Sequence, residues 1–179
     1  MPLTTYTPGE VLTAASLNAN FSFAALAKLG QVVQTVKTDT FTSTSTAYVD
    51  ITGLSVTITP TLATSKVFVL AMITGSNDIT VNVSTLQLVR DSTPIALGDT
   101  AGSRVSGTAP LTGGQDSAQN NTQMIAFLDS PATTSATTYK IQGRSNGATS
   151  FFINRSDTDT DSSVYNRTVS TIAVFEVIV

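Results

Sequence analysis

Three carboxylates alternate with hydroxyl residues near the end of the chain, at Asp157, Asp159 and Asp161. Calcium takes several oxygen ligands, and closely spaced Asp residues in a loop can supply them. The glycine and distant glutamate of an EF-hand are missing from this stretch. In a strand the three side chains would share one face and repel one another. The pattern therefore favours a solvated loop, with calcium binding by Asp157, Asp159 and Asp161 as the weaker alternative and no other metal site.

Polar and aromatic residues close to these carboxylates suggest a second kind of chemistry, the recognition of sugars. Tyr165, Asn166, Arg167 and Arg155 combine an aromatic ring with amide and guanidinium groups. Arg144 and Asn146 lie in a turn predicted between 143 and 150. These six residues are candidate ligand contacts for a surface glycan, and the competing interpretation is that they are ordinary residues of exposed loops.

Catalytic chemistry has few residues available. The chain contains no His and no Cys, which excludes triads and dyads built on imidazole or thiolate and leaves zinc without its usual ligands. A glycosidase-like carboxylate pair could be drawn from the acidic residues, but their spacing gives it no support. The candidates for that pair are Asp91, Asp99, Asp116 and Glu176. We therefore expect no enzymatic activity and no cofactor, and a small polysaccharide-degrading enzyme remains the weak alternative.

Charge and hydropathy limit the partners. Charged residues make up 12% of the chain and the formal net charge is -3, with no basic cluster of the kind that a nucleic-acid groove needs. The longest apolar run, 67–73, is too short to span a membrane. We expect neither nucleic-acid binding nor membrane insertion. So little surface charge protects a small monomer poorly from association, which favours an oligomer.

The elements that would position these residues fall into two regions. In residues 1–30, Thr13 can cap a helix over 14–29 whose apolar residues recur every four positions, and Gly30 is placed to stop it. That stripe is formed by Leu17, Phe21, Ala25 and Leu29. A single helix of this length is marginal in water. We predict that it docks, either on its own β-domain or on a larger assembly as an anchor.

Residues 31–179 read as strands. Alternation over 47–58 predicts a half-buried strand bent at Gly53, and 67–73 predicts a strand that is apolar on both faces. A hairpin is predicted around 90–93, another around 143–150, and a long loop over 98–122. Residues 168–179 predict a closing strand in the middle of a sheet. The sequence thus indicates a mainly β protein: an antiparallel, jelly-roll-like β-sandwich preceded by a short N-terminal α-helix.

Several stretches, in their order along 31–179, resemble a β-sandwich module of virion proteins of tailed bacteriophages, of the tail-fibre or head-fibre type. They are Gln31–Val36, Asp39–Ser45, Tyr48–Leu54, Leu88–Asp91, Phe127–Pro131, Thr137–Gln142 and Ile153–Arg155, and Tyr6–Ala14 is similar to the start of phage fibre proteins.

The resemblance implies a structural virion protein, made in the host cytoplasm, that forms a homotrimer. It implies that residues 1–30 attach the protein to other virion proteins. A short tail fibre that contacts the host, through a surface glycan, is the first expectation. A head fibre or capsid decoration protein is the alternative.

Overall fold

A computed structural model describes residues 7–11, 13, 15, 29–78, 83–112, 116–147 and 149–179. Within these residues the chain forms eleven strands and no helical element. The strands are β1 Leu29–Lys37, β2 Phe41–Ser43, β3 Val49–Ile58, β4 Lys66–Asn77, β5 Ser84–Arg90, β6 Thr93–Ile95, β7 Ala109–Leu111, β8 Asn121–Asp129, β9 Thr137–Arg144, β10 Phe151–Ile153 and β11 Ser170–Val177.

The strands form two antiparallel sheets. Sheet A has the order β1-β11-β4-β10-β2, with β8 on the other edge of β4, and sheet B has the order β3-β9-β5-β6, with β7 also on β5. Strands that are distant in sequence are neighbours in both sheets, for example β1 beside β11 and β3 beside β9. The prediction of a mainly β, antiparallel protein is confirmed.

The core lies between the two sheets. Alternate residues of β3, β5 and β9 face alternate residues of β4 and β11 across it, since side chains of a strand point to opposite faces in turn. Val67, Val69 and Ala71 of β4 meet Leu86 and Leu88 of β5 in one buried cluster.

A group of three polar side chains connects the two sheets. Asp129, at the end of β8, accepts bonds from Arg90 Nη1 at 2.9 Å and from the Tyr139 hydroxyl at 2.6 Å.

Several local predictions are confirmed. Strand β3 bends where predicted, because its pairing with β9 shifts between Asp50 and Ser55 and Gly53 has φ of +85°. Strands β5 and β6 form the predicted hairpin, with Asp91 in the left-handed region at its turn. Strand β11 lies between β1 and β4, as expected for a central strand.

The N-terminal helix falls mostly on residues outside those described, and it stays a prediction. Its last residue does not fit. Leu29 belongs to β1 and pairs with Val177, so a helix cannot extend that far. Gly30 also lies in β1 and has no positive φ. A glycine is needed here for a steric reason, because a Cβ at position 30 would lie 2.7 Å from Oε2 of the buried Glu176.

Two further predictions about loops are wrong. Residues 98–122 are not one loop, since β7 forms within them and pairs with β5, and β8 begins at Asn121. Residues 143–150 do not close a hairpin. Strand β9 belongs to sheet B and β10 to sheet A, so the connection crosses between sheets. Buried Ser145 fastens that crossing by donating its N–H to the carbonyl of Ser45 at 2.7 Å.

Candidate functional site

Four of the six predicted ligand residues come together after β10. Tyr165, Asn166 and Arg167 line a cleft of about 310 Å³, together with Asp159, Thr160, Asp161 and Ser162. We call this the loop cleft. Arg155 does not line the cleft but adjoins it, because its backbone pairs with that of Arg167 in an antiparallel bridge and its side chain reaches Asp159. The residues predicted from the Tyr165–Arg167 stretch therefore do share one surface.

Arg155 fixes the shape of this loop. Its guanidinium lies over the Phe152 ring, 4.3 Å from the centroid, a cation–π distance. It donates to the backbone carbonyls of Ser156 and Asp157. The Arg155 side chain is only 17% exposed, so water competes little for these contacts. They therefore stabilise this conformation of the loop.

Asp159 connects the two arginines. Its Oδ2 lies 3.3 Å from Arg155 Nη1, and its Oδ1 lies 2.6 Å from Arg167 Nη2. This pairing gives Asp159 a structural partner on each oxygen. Sequence reasoning noted the two arginines near the acidic stretch but did not predict that one carboxylate would bridge them. The signal in the sequence was the spacing of four residues between Arg155 and Asp159, which allows the two side chains to form an ion pair.

The alternating aspartates do not converge on a common point. Asp159 faces the two arginines, whereas the pKa of Asp157 is raised by its burial and by the charge of Asp78, against a smaller opposing effect of Arg155. Within the described residues, no group of three His, Cys, Asp or Glu side chains is placed to hold a metal ion. The geometry gives the calcium alternative no support.

The other two predicted ligand residues lie elsewhere. Arg144, the last residue of β9, has its guanidinium carbon 6.0 Å from the centroid of the Tyr48 ring. Asn146 is in the β9–β10 connection, and neither residue lines the loop cleft. Arg144 and Asn146 lie where the chain leaves sheet B for sheet A, and the loop cleft is formed by residues after β10.

The four carboxylates considered for catalysis occupy separate local settings. Asp91 accepts the N–H of Thr138 at the β5–β6 turn, and Asp116 accepts the N–H of Ala118 in a loop. Asp99 lies in the loop after β6, where its carbonyl accepts the Ser106 hydroxyl. Glu176 is buried in β11 and accepts the N–H and the hydroxyl of Thr61 at 2.6 and 2.7 Å. The hydrogen bonds join none of these carboxylates to another.

Sheet A carries a surface that the sequence did not single out. The sequence predicted a strand over 67–73 that is apolar on both faces. In β4 only one of these faces meets the core, and Met72 on the other is 48% exposed. Neighbouring strands present apolar residues beside it, in register with β4. We call this surface the outer apolar face; it consists of Val32, Val36, Phe68, Leu70, Met72, Met124, Ala126, Leu128, Ala173 and Phe175.

The outer apolar face spans four adjacent strands. Phe68 of β4 and Phe175 of β11 are directly opposite, with ring centroids 6.1 Å apart. On the edge strand β8, Met124 is 69% exposed and Leu128 is 47% exposed. Among the described residues, the charged side chain on this side of β4 is Lys66, at the first position of the strand. Contiguous exposed apolar surface is uncommon on small soluble proteins and needs an explanation.

The corresponding surface of sheet B is polar and internally bonded. Asp50 accepts bonds from Lys140 Nζ at 2.9 Å and from Gln142 Nε2 at 2.6 Å, and Gln142 in turn accepts from Gln87 Nε2 at 2.6 Å. This chain of contacts crosses β3, β9 and β5. The two outer surfaces of the sandwich thus differ in kind, because that of sheet B is polar and that of sheet A is apolar.

Comparisons with known proteins give no family. No protein-family model matches the chain, and no curated protein matches it. Among solved structures, the infectious bursal disease virus VP2 subviral particle is similar with 14% identity and a TM-score of 0.37, over 83% of this chain and 41% of that chain. The infectious bursal disease virus Gx strain gives 16% identity and a TM-score of 0.34, over 99% and 47%.

A third structure, the T=1 particles derived from infectious bursal virus, gives 11% identity and a TM-score of 0.36, over 99% of this chain and 45% of that chain. This chain therefore spans less than half the length of each of these three proteins. In the described part of the chain no helix is long and apolar enough to cross a membrane.

Proposed function

We propose that this chain is a non-enzymatic structural subunit of a virion that assembles with copies of itself through the outer apolar face. The observation that carries the proposal is the contrast between the two outer surfaces of the sandwich. The outer surface of sheet B consists of polar side chains that are hydrogen-bonded to one another, whereas the outer surface of sheet A exposes Met72, Met124 and Leu128 to solvent. Burying such surface is favourable by about 25 cal/mol per Å².

A second copy of the chain is the occupant that this face fits. Its centre carries no charged side chain among the described residues, so two or three copies can meet there without like-charge repulsion or the desolvation of ions. The low charge content, 12%, fits a subunit whose surface is partly hidden by assembly. We propose a homotrimer, with cyclic symmetry closing the contact.

The sequence resemblance supports the location. We propose that residues 1–30 attach the trimer to other virion proteins and that the distal loops face the host. A short tail fibre in contact with the host is the leading role, and a head fibre or capsid decoration protein is the alternative. The protein would be made in the host cytoplasm and would need no cofactor.

Immunogold labelling of intact particles with antibody to this chain tests the virion role. Label at the tail tip or on fibres is the expected result. Label over the head would replace the tail-fibre role with capsid decoration. Purified particles that carry no label, from cells in which the antibody detects the chain, would contradict a virion role altogether.

Attachment through the N-terminal segment has its own test. A chain that begins at residue 31 should still fold, because the core cluster lies wholly within 31–179. We expect it to be missing from particles assembled in its presence, while the full chain is incorporated. Equal incorporation of both chains would contradict the anchor.

A further inference from the structure

We propose that the loop cleft is a binding site for a neutral saccharide. This inference rests on the proposed host-contact role for its biological meaning, but binding itself requires only the residues of the cleft. Its lining combines one aromatic side chain, one amide, one guanidinium, two carboxylates and two hydroxyl residues within about 310 Å³. That volume lies at the lower end of the range for small-molecule sites.

The hydrogen-bonding groups of the cleft match the hydroxyl groups of a sugar. Each sugar hydroxyl both donates and accepts, so a matching site needs donors and acceptors side by side. The carboxylate of Asp159 forms one ion pair through each oxygen, with Arg155 and with Arg167, and retains lone pairs for further donors. The Arg167 guanidinium has five N–H groups, and the side-chain amide of Asn166 both donates and accepts. Tyr165 adds an amphipathic ring suited to the mixed surface of a sugar.

Charge distinguishes a neutral ligand from an acidic one. Among the residues that line the cleft, Asp159 and Asp161 are negative and Arg167 is positive, so the lining carries a formal net charge of -1 and repels an acidic ligand. The Arg167 charge is already paired with Asp159 at 2.6 Å. An acidic sugar would have to break that ion pair or approach a carboxylate, whereas a neutral sugar can bond to both groups as they stand.

The loop is also held in shape without a ligand. Arg155 fixes the backbone at Ser156 and Asp157 and packs on Phe152. Buried Asn154, just before it, donates to the carbonyls of Lys37 and Asp39 and accepts the Ser170 hydroxyl at 2.6 Å. A preorganised site loses less conformational entropy on binding a ligand than a flexible loop does.

The test uses the full chain on a printed array of neutral oligosaccharides and their sialylated counterparts, with solution titration of each sugar that binds. Two variants remove cleft groups without touching the anchoring residue Arg155: Tyr165→Ala and Arg167→Ala. Arg104→Ala is the matched control, because Arg104 is an exposed arginine outside the cleft whose described side-chain bond goes to the nearby Ala101 carbonyl. Thermal melting confirms that all three variants fold.

We expect binding to neutral sugars that each cleft variant weakens at least tenfold, that Arg104→Ala leaves unchanged, and that EDTA does not alter. The proposal is overturned by the absence of binding to any sugar, by binding to sialylated sugars alone, or by equal affinity of the cleft variants and the control. Particle labelling is independent of these outcomes. A labelled virion with no sugar binding would remove the site and leave the structural role.

Discussion

Glu176 is a carboxylate with no solvent exposure in a central strand. Burial raises its pKa, but hydrogen bonds from Thr61, from Ser65 and from the backbone of Gln31 together outweigh burial, and the pKa lies below its ordinary value of 4.5. A carboxyl whose pKa is lower in the folded state than in the unfolded state stabilises the fold above pH 4.5. That contribution is lost as the pH falls through the folded-state value.

Both Thr61 bonds go to Oε1 of Glu176, which the amide oxygen of a glutamine can replace, so the bonds can form but lose the strength that the negative charge gives them. We therefore expect Glu176→Gln to lower the free energy of unfolding at pH 7 by about 1–3 kcal/mol. The variant should also lose part of the stability difference between pH 7 and pH 3. Urea unfolding at the two pH values measures both effects. An unchanged pH dependence would show that other carboxylates control acid unfolding.

The Arg90–Asp129–Tyr139 group makes a second prediction at the scale of residues. The Tyr139 side chain is fully buried, and its pKa is raised by burial and by the bond to Asp129. Tyr139→Phe removes one bond and should cost about 1 kcal/mol. Asp129→Ala leaves both Arg90 and Tyr139 without this acceptor and should cost about 3–5 kcal/mol. Chemical denaturation measures the two values, and equal costs would contradict the view that Asp129 holds the group together.

At the scale of elements, the bend in β3 depends on one glycine. Gly53 has φ of +85°, where residues with a Cβ are strained by about 1–2 kcal/mol. A Cβ at this position would meet the Lys37 side chain at 3.6 Å, an ordinary contact, so the expected cost is conformational and not steric. Gly53→Ala should lower the free energy of unfolding by that amount.

Gly98→Ala is the matched control for this prediction. Gly98 has no positive φ, and the nearest atom to an added Cβ is the Gly107 carbonyl oxygen at 3.8 Å. We expect its unfolding free energy to stay within about 0.5 kcal/mol of the parent chain. A similar loss in both variants would mean that Gly53 is not special, and that the register shift of β3 does not depend on its backbone.

The sequence predicted elements whose signal is local. The apolar residues of 168–179 predicted a strand in the middle of a sheet, and β11 is one, with Ile172 and Val174 in the core and Phe175 outside. It could not show that β9 and β10 belong to different sheets, because Gly-rich turns read alike whether they close a hairpin or cross the core. Strand β7 was missed because three residues around Pro110 are too few to show a period.

The candidate site was predictable only in part, for the same reason. Residue type and closeness in sequence identified Tyr165, Asn166, Arg167 and Arg155. The Asp159 bridge depends on where the loop folds back, which local patterns do not contain. The outer apolar face was hidden because an apolar run shows that a strand avoids water, but not whether its second face is covered by this chain or by another.

At the scale of the whole molecule, the sandwich has a polar outer surface on sheet B and the outer apolar face on sheet A. If copies of the chain meet at the outer apolar face, a charge placed there must be desolvated in the assembly but remains hydrated in the monomer. Met124 is the most exposed large apolar residue of that face, at 69%, so its replacement should spare the core. Ser55, exposed on the outer surface of sheet B opposite Lys140, provides a matched position.

We therefore expect the parent chain and Ser55→Glu to sediment as trimers at micromolar concentration, and Met124→Glu to sediment as a monomer with little change in its own melting. A trimer that survives Met124→Glu would place the interface elsewhere. A parent chain that is already monomeric, and that Met124→Glu destabilises, would mean that residues 1–28 cover the face instead. Sedimentation and melting together separate these outcomes, because self-association depends on protein concentration and intramolecular cover does not.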